Sequence, residues 1–263
     1  MKIIGQKKNL ELIKKWRMNK DFPRFIIIAG DTGSGRFTLV KSIMKSAGLE
    51  GIVHECGVEA VRTAIEESYS ISTPTLHIFK DVDGMSVNAK NALLKVVEEP
   101  PKNAYFCMTV RNIDGMLGTI KSRATIIKME AYTRQELESV TDDPLKLEYC
   151  TNIGQMKIAL ADLDRAIRCS FEVIDSIDAL HRSKLFRATS RLKAKNTDTD
   201  KIDCDLFMRV FEKNIVRGLH IQYQDLRIIA EYKRYLNMSA INKKACIESM
   251  LLSILEAREV WYH

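Results

Sequence analysis

No stretch of this sequence stays apolar for long. The longest wholly apolar runs, Phe25–Ala29 and Ala104–Met108, fall far short of the roughly 20 residues a bilayer span requires, so no membrane partner is expected. No extended apolar segment follows Met1 and Lys2, which leaves nothing to read as a secretory signal. The six cysteines contain no Cys-x-x-Cys, so neither a zinc site nor a disulfide framework is legible; free thiols and a cytoplasmic location are expected, with no metal. Internal repeats and low-complexity tracts are absent as well. Acid is scarce at the start: residues 1–20 hold Lys2, Lys7, Lys8, Lys14, Lys15, Arg17 and Lys20 against the single acid Glu11. Such a balance favours acidic partners such as nucleic acid. It is equally what the solvated face of a helix looks like, because Leu10, Ile13 and Trp16 supply an apolar stripe at three-residue spacing.

What is present is an ordinary globular composition, 46% hydrophobic and 29% charged over 263 residues, enough for two or three small domains. Short apolar runs near residues 26, 53, 77, 107 and 126 have strand length, and they alternate with helical patterns at 6–18, 36–46, 58–68 and 87–98. That alternation predicts an α/β fold with a doubly wound parallel five-stranded sheet and a ligand crevice at the strands' carboxyl ends. A glycine loop, Gly30-Asp-Thr-Gly33-Ser-Gly35-Arg36-Phe37-Thr38, lies between the first strand and the next helix, where a phosphate-cradling loop belongs. The motif calls for Gly-x-x-x-x-Gly-Lys-Ser/Thr, and the last two positions are instead Arg36 and Phe37. Lysine is the compact charge that reaches the outer phosphates, and arginine is a bulkier planar fork. The missing hydroxyl is the one that holds magnesium, and Thr38, one place later, points about 100° away around the helix. The loop therefore either holds ATP or ADP weakly or serves as a strand–helix corner with no nucleotide. His54 and His77 have no partner at ligand spacing and read as packing residues.

The most distinctive stretch is 75–123. A strand ending in Asp81 precedes Asn91-Ala-Leu-Leu-Lys-Val-Val-Glu-Glu-Pro-Pro, with Pro100 stopping the helix sharply; the strand Ala104–Val110 and then Ser122-Arg123 follow. This string resembles the clamp-loader branch of the AAA+ ATPases, the gamma/tau/delta-prime family of bacterial DNA polymerase III, with delta-prime as the nearest pattern. The resemblance is sharp over 1–130, weaker to about 165, and absent as a motif beyond.

It implies the following. In active relatives the third strand ends in Asp-Glu, the aspartate supporting magnesium and the glutamate polarising the attacking water. Here it ends Asp81-Val82, and Asp83 lies on alternating geometry that makes it a poor substitute. Together with Arg36 and Phe37 this argues against hydrolysis. Ser122 and Arg123 match the segment that places an arginine finger into a neighbouring subunit's ATP site. Val110 takes the sensor position, and Lys157 the lid arginine that reaches the phosphates. The degenerate nucleotide site would thus comprise Gly30, Gly33, Gly35, Arg36, Asp81 and Lys157. The four-cysteine zinc module that many delta-prime relatives carry after the second strand is missing; only Cys56 stands there.

Beyond Glu130 the alternation stops. Thr133-Arg-Gln-Glu136 reads as a capping box opening a lid helix, with further lid helices at 145–150 and 154–163. Five amphipathic helices are expected near 166–180, 183–194, 203–218, 222–236 and 240–260, and a polar linker at 193–201. Three domains follow: a RecA-like AAA+ domain with a degenerate phosphate loop over 1–130, a helical lid over 131–165, and an all-α oligomerisation collar over 166–263. The resemblance implies a subunit that does not hydrolyse ATP itself. It would work with ATPase subunits and a delta-like subunit to load a sliding clamp, meeting primer–template DNA through the assembled complex. An ATPase with atypical motifs and a basic DNA-binding accessory protein are the alternatives.

Overall fold

The computed structural model describes residues 3–193, 201–218, 221–236 and 241–261. The chain divides into two compact units. One runs to Asp142 and takes in Cys150–Met156; the other comprises Asp143–Tyr149 and the residues from Lys157 on. The segment 131–165, expected as a lid of its own, is shared between the two.

The first unit is built on strands β1 (Phe25–Ala29), β2 (Glu50–His54), β3 (Thr75–Phe79), β4 (Ala104–Val110) and β5 (Thr125–Lys128). They form one sheet in the order β2-β3-β4-β1-β5, and every neighbouring pair is parallel. Parallel strands need long crossovers. Helices α1 (Lys7–Asn19), α2 (Arg36–Ala47), α3 (Val58–Ser70), α4 (Val87–Ala92), α5 (Leu94–Glu98) and α6 (Gly118–Lys121) lie before, between and after them, and α7 (Arg134–Glu138) follows. β1 is apolar throughout because it is buried on both faces between β4 and β5. Phe25, Ile27 and Ala29 enter a core with residues of α3 to α6, such as Val61, Leu93, Val96 and Ile120. Ile26 and Ile28 enter the opposite core with Ile13 of α1 and Leu39, Val40 and Ile43 of α2.

Several boundaries differ from expectation. The helix expected over 87–98 is interrupted at Leu93, a turn residue that keeps right-handed dihedrals (φ −72°, ψ −18°), so that Ser86 caps a first segment and a second begins at Leu94. The second strand starts two residues early, at Glu50, because its backbone amide already pairs with Pro74 O. The turn after β4 is a 3-10 turn at Ile113–Gly115 followed by α6. Thr133 and Glu136 form the capping box the sequence predicts, at the start of α7.

The second unit is helical: α8 (Pro144–Tyr149), α9 (Leu160–Asp178), α10 (Arg182–Thr189), α11 (Cys204–Arg217), α12 (Tyr223–Leu236) and α13 (Lys243–Trp261). No helix spans the expected 154–163; a 3-10 turn at Gln155–Lys157 is followed by the long α9. The stripe Ile247, Met250, Leu251, Ile254 and Leu255 is fully buried against Leu163 and Val173 of α9 and Phe207 and Phe211 of α11. Within this core Tyr149 donates to Asn214 Oδ1 (2.7 Å), and Asn214 donates to Ser170 Oγ (3.0 Å). Most of the expected linker, residues 194–200, lies outside the described residues; Leu192 and Ile202 on either side pair in a parallel bridge. Among the described residues no helix is long and apolar enough to cross a membrane, and no three metal-ligating side chains cluster.

Candidate functional site

The glycine loop occupies the carboxyl end of β1, and β3 delivers Asp81 to the same end of the sheet, as does β4 with Val110. Gly33 and Gly35 have φ of +87° and +93°, a region L-residues rarely adopt, and Gly35 is the residue from which α2 starts. Here two departures from the phosphate-loop motif meet. Arg36 is 8% exposed and its Nη2 lies 2.8 Å from Asp81 Oδ1. The position where a lysine would face phosphate thus carries a guanidinium already paired with the acid that would support magnesium. Asp81 is held in a left-handed turn (φ 52°), its amide donating to Thr109 Oγ1 at 2.9 Å. Phe37 presents its ring to two ammonium groups, Lys80 Nζ at 3.7 Å and Lys41 Nζ at 5.1 Å from the centroid.

The loop is also occupied from its far side. Asn152 Nδ2 donates to Thr32 O (3.1 Å), Gly154 N to Gly33 O (3.0 Å), and the Tyr132 hydroxyl to Ser34 O (3.0 Å). A Cβ on Gly154 would come within 2.3 Å of Gly33 Cα, so two backbones are in direct contact. Three successive loop carbonyls are thereby fixed. Ser34 Oγ and Arg36 Nη1 remain buried without a hydrogen-bond partner, two donors suited to an anion. The set of groups that the phosphate-loop motif brings to magnesium–ATP is incomplete here: no hydroxyl stands at 37, Asp81 is ion-paired with Arg36, and Val82 is wholly buried. Asp83 does not replace it, because its carboxylate caps the start of the loop after β4, accepting from the amides of Arg111 (2.9 Å) and Asn112 (3.2 Å). Val110 is buried in the core. Lys157 is exposed and belongs to the second unit.

Arg123 lies elsewhere. It precedes β5, whose Thr125 is level with Ile26, so it sits at the amino-terminal edge of the parallel sheet, whereas the glycine loop and Asp81 sit at the carboxyl edge. Five residues of strand separate the two edges by roughly 15–20 Å. The side chain is 44% exposed; Nη2 is 3.2 Å from Glu98 Oε1, and Nη1 donates to Thr119 O (3.3 Å). Ser122 Oγ donates to the same carbonyl (3.0 Å), which ties the turn that presents Arg123.

Five contacts were not foreseen from sequence: Arg36 with Asp81, Lys80 on Phe37, the 152–154 segment on the loop, Glu98 on Arg123, and a histidine pair. His54 and His77 lack partners by sequence spacing, but strand register brings their rings to 5.1 Å and 12° from parallel, with His54 Nε2 and His77 Nδ1 3.0 Å apart. His77 is wholly buried and also stacks on Phe106. Burial, and then the neighbouring His54, push its pKa down to about 4; His54 is lowered too, by burial, with Glu67 opposing. Of the last four, only Glu98 left a trace in the sequence, inside the Glu-Glu-Pro-Pro string.

Comparison with known proteins bears on this geometry. A family model described as DNA polymerase III, delta subunit, matches residues 15–133. Replication factor C subunit 3 of Schizosaccharomyces pombe is 28% identical over 131 residues, covering 48% of this chain and 38% of that protein. DNA polymerase III subunit tau of Bacillus subtilis is 23% identical over 221 residues, covering 68% and 39%. The gamma subunit of Buchnera aphidicola is 26% identical over 212 residues, covering 64% and 58%. The chain thus spans less than two thirds of the length of each of these relatives. Among solved structures, a DNA polymerase III gamma subunit-related protein of Thermotoga maritima matches with a TM-score of 0.53 and 16% identity over 93% of this chain and 98% of that one, a likeness of fold.

Proposed function

We propose that this chain is a delta-prime-like member of the clamp-loader branch of the AAA+ proteins, a subunit that hydrolyses no ATP itself and lends Arg123 to a neighbouring ATPase subunit, a reading supported by its similarity to DNA polymerase III delta, gamma and tau sequences. The observation that carries the reading is the separation of the two ends of the sheet. Arg123 is exposed at the edge opposite the glycine loop, so it is badly placed to serve its own site and well placed to serve another chain's. A guanidinium aimed at a transferring phosphoryl group stabilises charge that develops only in the transition state, worth roughly 10³–10⁵ in rate. Glu98 and Thr119 O would hold it until the neighbour's phosphates compete, while Ser122 keeps the turn rigid. The loop's own chemistry is closed off by the Arg36–Asp81 pair and by Phe37. In this reading the C-terminal helices form the collar of a hetero-oligomer, and the assembled complex places a sliding clamp on primer–template DNA.

The test is ATP turnover by a mixture of this chain, the ATPase subunit and the clamp from the same source. Arg123→Ala is expected to lower turnover at the shared site at least tenfold, and this chain alone to turn over no ATP. Unchanged turnover with Arg123→Ala would defeat the assignment. One observation favours a second reading, an ATPase in its own right: Ser34 Oγ and Arg36 Nη1 are buried donors with no partner, suited to an anion. It requires turnover by the isolated chain that Asp81→Ala abolishes.

A further inference from the structure

The basic start of the sequence is not dispersed by folding. α1 carries Lys7, Lys8, Lys14, Lys15 and Arg17 on its exposed side, with Glu11 as its only acid, while Asn9 and Ile13 turn inward. α2 packs beside it through the shared core of Ile13, Leu39, Val40 and Ile43, and turns Lys41 and Lys45 outward with no acid anywhere in the helix. Among the described residues none of these cations lies within ion-pair distance of a carboxylate. Carboxylates do meet the two helix starts, Glu130 accepting from Lys8 N (3.2 Å) and Asp81 pairing with Arg36, but among the described residues none reaches the lysine side chains further along. Unpaired cations along two adjacent helices are what a polyanion-binding surface looks like.

We propose that the joint α1–α2 face is a nucleic-acid surface that grips the phosphate backbone of duplex DNA without reading its sequence. Thirteen residues of α1 extend about 20 Å at 1.5 Å per residue. Duplex DNA carries one phosphate per about 3.4 Å on each strand, so that length runs beside roughly six phosphates of one strand, a regular array that lysines spaced along a helix can meet. Long flexible lysines suit point-charge contacts to phosphate and carry no base specificity. The inference does not depend on Arg123, which lies outside this face.

The experiment is fluorescence anisotropy of the full chain with a labelled 20-base-pair duplex at two salt concentrations. The variant Lys14→Gln/Lys15→Gln/Lys41→Gln/Lys45→Gln is compared with an equal-charge control, Lys184→Gln/Arg187→Gln/Arg227→Gln/Arg234→Gln, on exposed positions of α10 and α12. Each contacted phosphate contributes about −0.9 to the slope of log affinity against log salt. The face variant should bind at least tenfold more weakly with a slope shallower by about 3, the control within twofold of wild type, and both should keep the wild-type circular dichroism spectrum. Equal losses in the two variants would overturn the proposal. So would an absence of duplex binding at low salt, or binding to phosphatidylserine vesicles that depends on the same four lysines while DNA binding does not.

Discussion

Both units pair some surface cations with acids, Arg62 with Glu59 and Arg134 with Glu138 in the unit with the sheet, but they differ in the charge they bury and in one face left bare. In the helical unit cations lie against acids: Arg182 against Glu259 and Glu256, Arg191 against Glu172, Lys233 against Glu212 and Lys243 against Asp205. Deeper still, Arg258, 5% exposed, is bound between Asp178 and the wholly buried Asp225. In the unit with the sheet, the lysines of α1 and α2 face solvent without carboxylates, and the ionisable group at its centre, His77, is kept neutral by burial. Paired charge serves the fold that pairs it. Like charges clustered on one face repel one another slightly, and such a cluster suits an acidic partner. Exposed pairs on the helical surface contribute little to stability, so the contrast rests on the buried triad and on the bare face.

The largest effect is expected at that triad. Arg258→Leu leaves Asp225 buried without its counter-charge, and urea denaturation should show a loss of about 3–5 kcal/mol. A loss below 1 kcal/mol would mean that the pairing is incidental and the contrast between the units false. His77 comes next. Its folded pKa, about 4, lies below the ordinary 6.5, so the unfolded chain binds the extra proton first. Stability is therefore full above pH 6.5 and falls as pH drops from there towards 4, by roughly 3 kcal/mol at most. His54 beside it acts in the same direction, moderated by Glu67. His77→Phe should flatten that part of the pH profile measured by thermal unfolding; an unchanged slope would place the titration elsewhere.

How much of this could be read from the chain follows from where each constraint sits. β1 and β4 were legible because strands buried on both faces must be apolar throughout, and that needs no knowledge of partners. The missing lysine and hydroxyl at 36 and 37 were legible because the motif fixes their chemistry. What took the place of that chemistry was not. Arg36 meets Asp81 across 45 positions, and Asn152 reaches Thr32 across 120, so no local pattern encodes either contact. The histidine pair depends on the register of β2 on β3, which sets Ile52 opposite His77 and sequence spacing cannot supply. The break at Leu93 lies within good helix formers, and tertiary context there overrode propensity. The basic cluster was visible at once, but its two readings diverge only when α2 is seen to pack beside α1 and to leave Lys41 and Lys45 exposed.

A smaller effect is expected at Asp81→Ala, which removes the carboxylate from a guanidinium that is 8% exposed. Because Asp81 itself is 60% exposed, water can enter and the loss should be about 1–2 kcal/mol in urea denaturation, well short of that at Arg258. A loss as large as that at Arg258 would show the glycine loop to be a structural keystone, with the pairing there serving the fold as it does in the helical unit.

The smallest shift tests the bare face most directly, because its sign is unusual. Lys41 and Lys45 stand at i and i+4 on α2, where like charges repel by about 0.2–0.5 kcal/mol. Lys41→Glu replaces that repulsion with a Glu-to-Lys pair in the favourable order and sets an acid nearer the positive end of the helix. The unfolding free energy from urea denaturation should therefore rise by about 0.2–0.5 kcal/mol while duplex binding weakens, two readouts moving apart in one variant. Most surface substitutions leave stability nearly unchanged or lower it. A fall in stability would mean that Lys41 is held by its contact with the Phe37 ring, and that this part of the face serves the fold after all. A rise in stability with unchanged DNA binding would leave the bare lysines of α2 without a partner and confine the nucleic-acid contact to α1.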